Sequence, residues 1–110
     1  FEPIVEGMWR GVNVGGTSTR ARLEGLDVCG KTGTAENPRG RDHSTFLSFA
    51  PKDNPKIAIS VYVENGGFGA SAALPIASLL EEYYLTDTIR RPALLDYVRN
   101  MTINYPAYDR

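Results

Sequence analysis

The sequence predicts an α+β fold in which an antiparallel sheet of at least three strands packs against helices. Three observations carry that prediction. Near the start, Ile4, Val5, Met8, Trp9 and Val12 recur at the spacing of one helix face. Two apolar runs, 45–50 and 56–64, flank Pro51-Lys52-Asp53-Asn54-Pro55, whose turn chemistry joins them as an antiparallel hairpin. Further on, Ile76, Leu79, Leu80, Tyr83 and Tyr84 form a second helical stripe.

Taken in order, the first helix covers 3–13 and ends in Val14-Gly15-Gly16-Thr17, where flexible residues cannot extend it. Residues 17–25 are polar and read as a loop or short irregular connection. The first strand runs from Leu26 to Ala35. Pro38 and Gly40 break the polar loop 36–43 that follows. The strand 56–64 places Ile57, Ile59, Val61 and Val63 on one face and Ala58, Ser60 and Tyr62 on the other. Neither face is strongly polar, so cover on both sides is expected. Glycine-rich 65–69 leads into a helix over 70–85, where Pro75 is tolerable only near the first turn. Glu81-Glu82 reads as that helix's solvated face. Beyond Leu85, Arg90-Arg91-Pro92 breaks the chain, 93–98 has room for one or two helical turns, and 100–110 reads as extended. The domain division expected is therefore 1–85 plus a tail over 86–110, with Tyr97, Tyr105 and Tyr108 packing it on something.

With 110 residues the chain is one domain, able to bury roughly 65% of its unfolded surface. Apolar residues make up 42% and charged residues 23%, the balance of a soluble globular chain. A formal charge of −1 gives no field to recruit nucleic acid or an anionic membrane. The sequence begins at Phe1 and shows neither a signal-peptide pattern nor a membrane-length apolar run, as expected of a piece of a longer protein. The single cysteine, Cys29, excludes an intrachain disulfide and a cysteine-rich metal site, and its apolar strand makes it a buried core residue.

The chemistry concentrates in Gly30-Lys31-Thr32-Gly33-Thr34-Ala35. Lys31 supplies a fixed positive charge, the Thr32 hydroxyl can hold a carboxylate, and Gly33 lets another backbone approach. Residues 25–32 also satisfy the G-x-x-x-x-G-K-[ST] phosphate-loop pattern. That pattern needs a buried strand before its first glycine and a helix after its Lys-Thr. Here 19–24 is polar, and Gly33-Thr34-Ala35-Glu36-Asn37-Pro38 cannot start a regular helix. The phosphate-loop match is accidental. Within a strand, Lys31 and Gly33 share one face and Thr32 and Thr34 the other, so a common cleft requires twist and an edge position.

The remaining candidates carry ordinary readings. His43 follows Asp42 but has no serine placed to use it, and a local hydrogen bond is expected. Pro38-Arg39-Gly40-Arg41 is too short for a nucleic-acid patch and is balanced by Glu36 and Asp42. Gly66-Gly67-Phe68-Gly69 is a flexible strand-to-helix connection rather than a phosphate cradle.

In order and spacing, several stretches resemble one family. They are Val5-Glu6-Gly7-Met8 with Gly16-Thr17, Val28 to Glu36, Arg41-Asp42-His43, Phe49-Ala50-Pro51 with Asp53-Asn54-Pro55, and Ile57-Ala58 to Val63-Glu64-Asn65-Gly66-Gly67. The chain resembles the C-terminal part of the transpeptidase domain of class B penicillin-binding proteins, of the penicillin-binding protein 2, elongation type. The likeness covers 1 to about 85.

The resemblance implies a penicillin-binding-protein/β-lactamase-like fold in which 26–35 walls the active site. It implies a serine-type peptidoglycan D,D-transpeptidase, which cross-links stem peptides through an acyl-enzyme and binds β-lactam antibiotics. Lys31 would be catalytic, lending charge to the cleft and aiding proton traffic. Thr32 would grip the substrate's terminal carboxylate, Gly33 would leave room for the substrate backbone, and Thr34 would lend its N–H to the oxyanion hole. No cofactor or metal is implied, and no nucleic acid. The implied setting is the periplasmic face of the bacterial inner membrane, in peptidoglycan synthesis and cell shape, beside an elongation-complex glycosyltransferase, with an anchor helix outside this chain. The family's S-x-x-K and S-x-N motifs are missing, since no serine here has a lysine three residues later. The chain alone should therefore be inactive. A β-lactamase, or a non-catalytic module that keeps the fold for binding or assembly, would share the Lys-Thr-Gly.

Overall fold

The structure, a computed structural model, describes residues 2–16 and 18–101. Its elements are α1 (Glu2–Asn13), a 3-10 turn (Thr19–Ala21), β1 (Cys29–Ala35), β2 (His43–Ala50), β3 (Ile57–Val63), α2 (Ala73–Thr86) and α3 (Pro92–Arg99). The strands form one antiparallel sheet in the order β1-β2-β3. The expected α+β architecture is present, and β1 and β3 are its edges among the described residues.

Register divides the sheet into two faces. Antiparallel partners point the same way, so Gly30, Thr32 and Thr34 share a face with Ser44, Phe46 and Ser48 and with Ile59, Val61 and Val63. That face carries the core. Val12 of α1, Val28, Phe46, Ala50 and the α2 residues Ala73, Leu74 and Ala77 are buried together, with Ile59, Val61, Val63 and Leu85 packed around them. The opposite face is open. Leu47 there is 51% exposed and Tyr62 58%, and Ala58 and Ser60 are exposed beside them. Cover on both sides of β3 was expected and is not found, because the helices of the described chain all serve the other face.

β1 begins at Cys29 rather than Leu26. Asp27 takes a left-handed φ of 46°, which ends extended pairing before Val28. Its carboxylate accepts from the Trp9 indole N–H at 3.2 Å, while Asn13 donates its amide to Val28 O at 2.9 Å. Both bonds fasten α1 onto the entry of β1. Lys52, in the β2–β3 turn, meets the same helix through Glu6 at 2.8 Å and sits 5.7 Å from the Trp9 ring centre. The Glu6 carboxyl is held below its ordinary value first by the Lys52 hydrogen bond and then by Arg10.

α2 is rotated from the expected orientation. Of the expected stripe Leu79 is buried, but the rest of the buried face includes Leu74, Ala77, Ser78, Glu81 and Glu82, while Leu80, Tyr83 and Tyr84 point outward. Small residues at 73, 77 and 78 let the helix approach a sheet face that itself carries Ser44 and Ser48, which no broad aromatic stripe would permit. Glu81-Glu82 is therefore buried, not solvated. Ser48 serves Glu81, and Arg91 reaches Glu82 at 3.1 Å. Pro75 occupies the first turn, as its missing N–H requires. The helix stops at Asp87, whose φ is 61° and whose N–H returns to Tyr83 O.

α3 takes the place of the one or two turns expected over 93–98. Tyr97 donates to Ser71 O at 2.6 Å and lies under the Arg20 guanidinium, 4.6 Å from the ring centre. The expected extended run 100–110, with Tyr105 and Tyr108, lies outside the described residues from 102 onward.

Candidate functional site

Lys31, Thr32, Gly33 and Thr34 all lie on β1, an edge strand, with no helix start after them. A strand in place of a helix start disposes of the phosphate-loop pattern. An edge strand leaves alternate N–H and C=O groups without a strand partner, the template on which an extended peptide adds.

Lys31 stands in one row with Leu47 and Ser60, and Gly33 in the next with Thr45 and Tyr62. Lys31, Leu47, Ser60, Gly33 and Thr45 of these rows line a groove of about 300 Å³ on the open face, bordered also by Thr32 and Phe46. So the chain brings Lys31, Thr32 and Gly33 to one cleft. Thr34 lies just beyond it on the same edge, exposed and paired in register with Ser44. Lys31 is exposed, its ammonium donating to Thr32 O at 2.9 Å. Among the described residues it is the one charged side chain lining the groove, which therefore favours an anionic group.

Gly33 has a local reason as well. A Cβ there would run into the Thr45 hydroxyl on the open face, so any larger residue would fill the groove from within.

The far end of β1 is held by loop-to-loop bonds. Asn37 N–H donates to Asp42 Oδ1 at 3.1 Å, and Gly67 N–H to Asp42 O at 2.7 Å. His43 Nδ1 accepts from Asn65 N–H at 3.0 Å, the local structural bond expected of it, and its ring lies 5.4 Å from that of Tyr62. Asn65 adopts a φ of 58° to make this turn. Cys29 is buried, as expected. Among the described residues there is no group of three or more His, Cys, Asp or Glu able to hold a metal, and no helix long and apolar enough to cross a membrane.

Thr45, Leu47 and Ser60 were not singled out from sequence. Counting register back through the 36–42 loop would have placed them, but the loop's contribution to pairing is not written in its residues.

The family described as the penicillin binding protein transpeptidase domain matches residues 1–80. The chain is 35% identical to the peptidoglycan D,D-transpeptidase MrdA of Haemophilus influenzae, over 81% of this chain and 16% of that protein. Pseudomonas aeruginosa PBP2, solved in complex with WCK 5153, superposes with a TM-score of 0.64 at 39% identity, covering 74% of this chain and 18% of that one. The imipenem acyl-enzyme of penicillin-binding protein A from M. tuberculosis gives 0.54 at 34%, covering 69% and 18%. The chain thus spans less than a fifth of the length of each of these three relatives.

Proposed function

The chain belongs to the penicillin-binding-protein transpeptidase domain family, and from that footing we propose that it supplies the substrate-edge strand of a peptidoglycan D,D-transpeptidase that β-lactams also acylate. One observation carries the reading. Lys31, Thr32 and Gly33 stand consecutively on an exposed strand edge and border one groove, where Lys31 is the one charged side chain among the described residues.

In this reading the Lys31 ammonium holds positive charge in the cleft and assists proton movement at a nucleophilic serine supplied by another part of the protein. Thr32 holds the terminal carboxylate of the stem peptide or the β-lactam through its hydroxyl. Gly33 lets the acyl donor's backbone lie along the edge. Thr34 N–H stabilises the oxyanion, a contribution worth about 2.7–4 kcal/mol where single donors have been removed elsewhere. Residues 1–85 form a C-terminal portion of the transpeptidase domain, and 86–110 an extension. The working place is the periplasmic face of the inner membrane, beside the glycosyltransferase of the elongation complex, in cell-wall growth and cell shape.

The test is covalent labelling of the full-length protein with fluorescent penicillin. Label that survives denaturation is expected, reduced on the order of a hundredfold or more in Lys31→Met. Equal labelling of wild type and variant would remove Lys31 from the chemistry. Rapid turnover of the drug instead of stable label would favour a β-lactamase.

A further inference from the structure

Two residues outside the groove grip the strand that forms it. Ser44 is buried and pairs in register with Thr34. Its hydroxyl donates to Phe68 O at 2.8 Å and accepts from Ala73 N–H at 3.0 Å. One strand oxygen therefore anchors Phe68, midway along the segment joining β3 to α2, and Ala73, at the start of α2. Between those two anchored residues lies Gly69. A Cβ on Gly69 would sit 2.7 Å from Gly33 O and 2.9 Å from Gly33 N, and closer still to Thr45 O. All three are backbone atoms of the register pair Gly33 and Thr45, so no side-chain rotation can make room.

Ser44 points to the helix-packed face, which places this contact behind the sheet. The Thr45 hydroxyl occupies the place of a Gly33 Cβ in front. The backbone of Gly33 is thus held from both sides, at the residue preceding Thr34.

We propose that Ser44 and Gly69 are positioning residues that fix the Gly33–Thr34 edge at the height acyl transfer requires. The inference rests on the functional reading above, since it gives the height of Thr34 N–H a purpose. Neither residue touches the substrate. Each acts through the backbone of β1.

The experiment compares full-length wild type with Gly69→Ala and Ser44→Ala. Benzylpenicillin acylation is resolved into a noncovalent Kd and a first-order acylation constant, and hydrogen–deuterium exchange is followed in a peptide covering 31–36. Gly69→Ala should slow the first-order step by about tenfold to a hundredfold, as small misplacements of reacting groups do, with faster exchange over 33–35. Its Kd should stay within about threefold, because the loss falls on the transition state. Ser44→Ala should move both readouts in the same direction by a smaller amount, and it decides the matter if Gly69→Ala does not fold. Leu94→Ala, a buried α3 substitution remote from the groove, controls for lost stability and should leave the first-order constant unchanged. Wild-type acylation and exchange in both variants, or an equal slowing in Leu94→Ala, would overturn the proposal. If wild type takes no label, the functional reading fails, and the exchange over 33–35 still decides whether these two residues hold the strand.

Discussion

The Ser48 hydroxyl lies 2.9 and 3.0 Å from the two carboxylate oxygens of Glu81, and both residues are wholly buried at 0% exposure. The pair joins α2 to the central strand directly behind Gly30, the register partner of Ser48. Burial pushes the Glu81 carboxyl up from an ordinary 4.5 to about 7, against the opposing pull of the Ser48 hydrogen bond and the Arg91 charge. The native state therefore holds an extra proton between those two values. Stability falls as pH rises through that window, and the cost of ionising the buried group is complete above it, roughly 3 kcal/mol. Glu81→Gln keeps the shape and removes the titration. Urea unfolding should show the variant more stable than wild type by about 1–3 kcal/mol near pH 8, with the gap closing near pH 5. An unchanged pH slope in the variant would rule out Glu81 as its source.

Cys29 offers a second solvent-exclusion test. Burial pushes its thiol up from 9.0 to about 11, with Lys52 pulling the other way and Asp27 adding to the rise. Thiolate is the reactive form, so at neutral pH the folded protein presents almost none at this position. Iodoacetamide should leave Cys29 unmodified in native protein and alkylate it once denaturant unfolds the chain. Prompt native-state alkylation would contradict the burial of Cys29 at the start of β1.

Thr32 carries the substrate's anionic end in the proposed function. A hydrogen bond to a charged group is worth about 1.5–3 kcal/mol, so Thr32→Val should slow acylation by carboxylate-bearing β-lactams about tenfold to a hundredfold. Valine keeps the branched shape on a strand, and the unfolding midpoint should hardly move. The readout is the second-order acylation rate on full-length protein. Equal rates with and without the hydroxyl would take the carboxylate away from Thr32.

The strands and helices were legible because their signals are local. The turn residues 51–55 fix the β2–β3 hairpin, and alternation in 57–63 fixes the period. The likeness of 28–36 to the family's edge motif placed the candidate residues on one stretch, which the structure forms as β1. What misled was orientation. The outward Leu80, Tyr83 and Tyr84 and the inward Glu81 and Glu82 reverse the usual reading of a helical wheel. Ser48 and Arg91 supply the partners that make burial of two carboxylates tolerable, and they lie 33 and 9 residues away from Glu81 and Glu82 respectively. Sequence periodicity does not report a partner at that distance. The Gly69 contact was hidden for the same reason, since a glycine's neighbours leave no trace in its own side chain.

Gly30, just before Lys31-Thr32-Gly33, gives the last test of how the edge is supported. A Cβ there would stand 2.6 Å from Phe46 Cζ and 3.3 Å from Val12 Cγ2, both in the fully packed core between α1 and the sheet. These are side-chain atoms, but buried ones with nowhere to turn. Gly30→Ala should cost about 1–3 kcal/mol through overpacking. Trimming the obstructing ring ought to recover part of that loss, so Gly30→Ala combined with Phe46→Leu should be less destabilised than the sum of the two single changes. Denaturant unfolding of the four proteins in the cycle measures the coupling. Strict additivity would mean that α1 and Phe46 do not close over Gly30, and that the groove-forming edge draws its support from elsewhere.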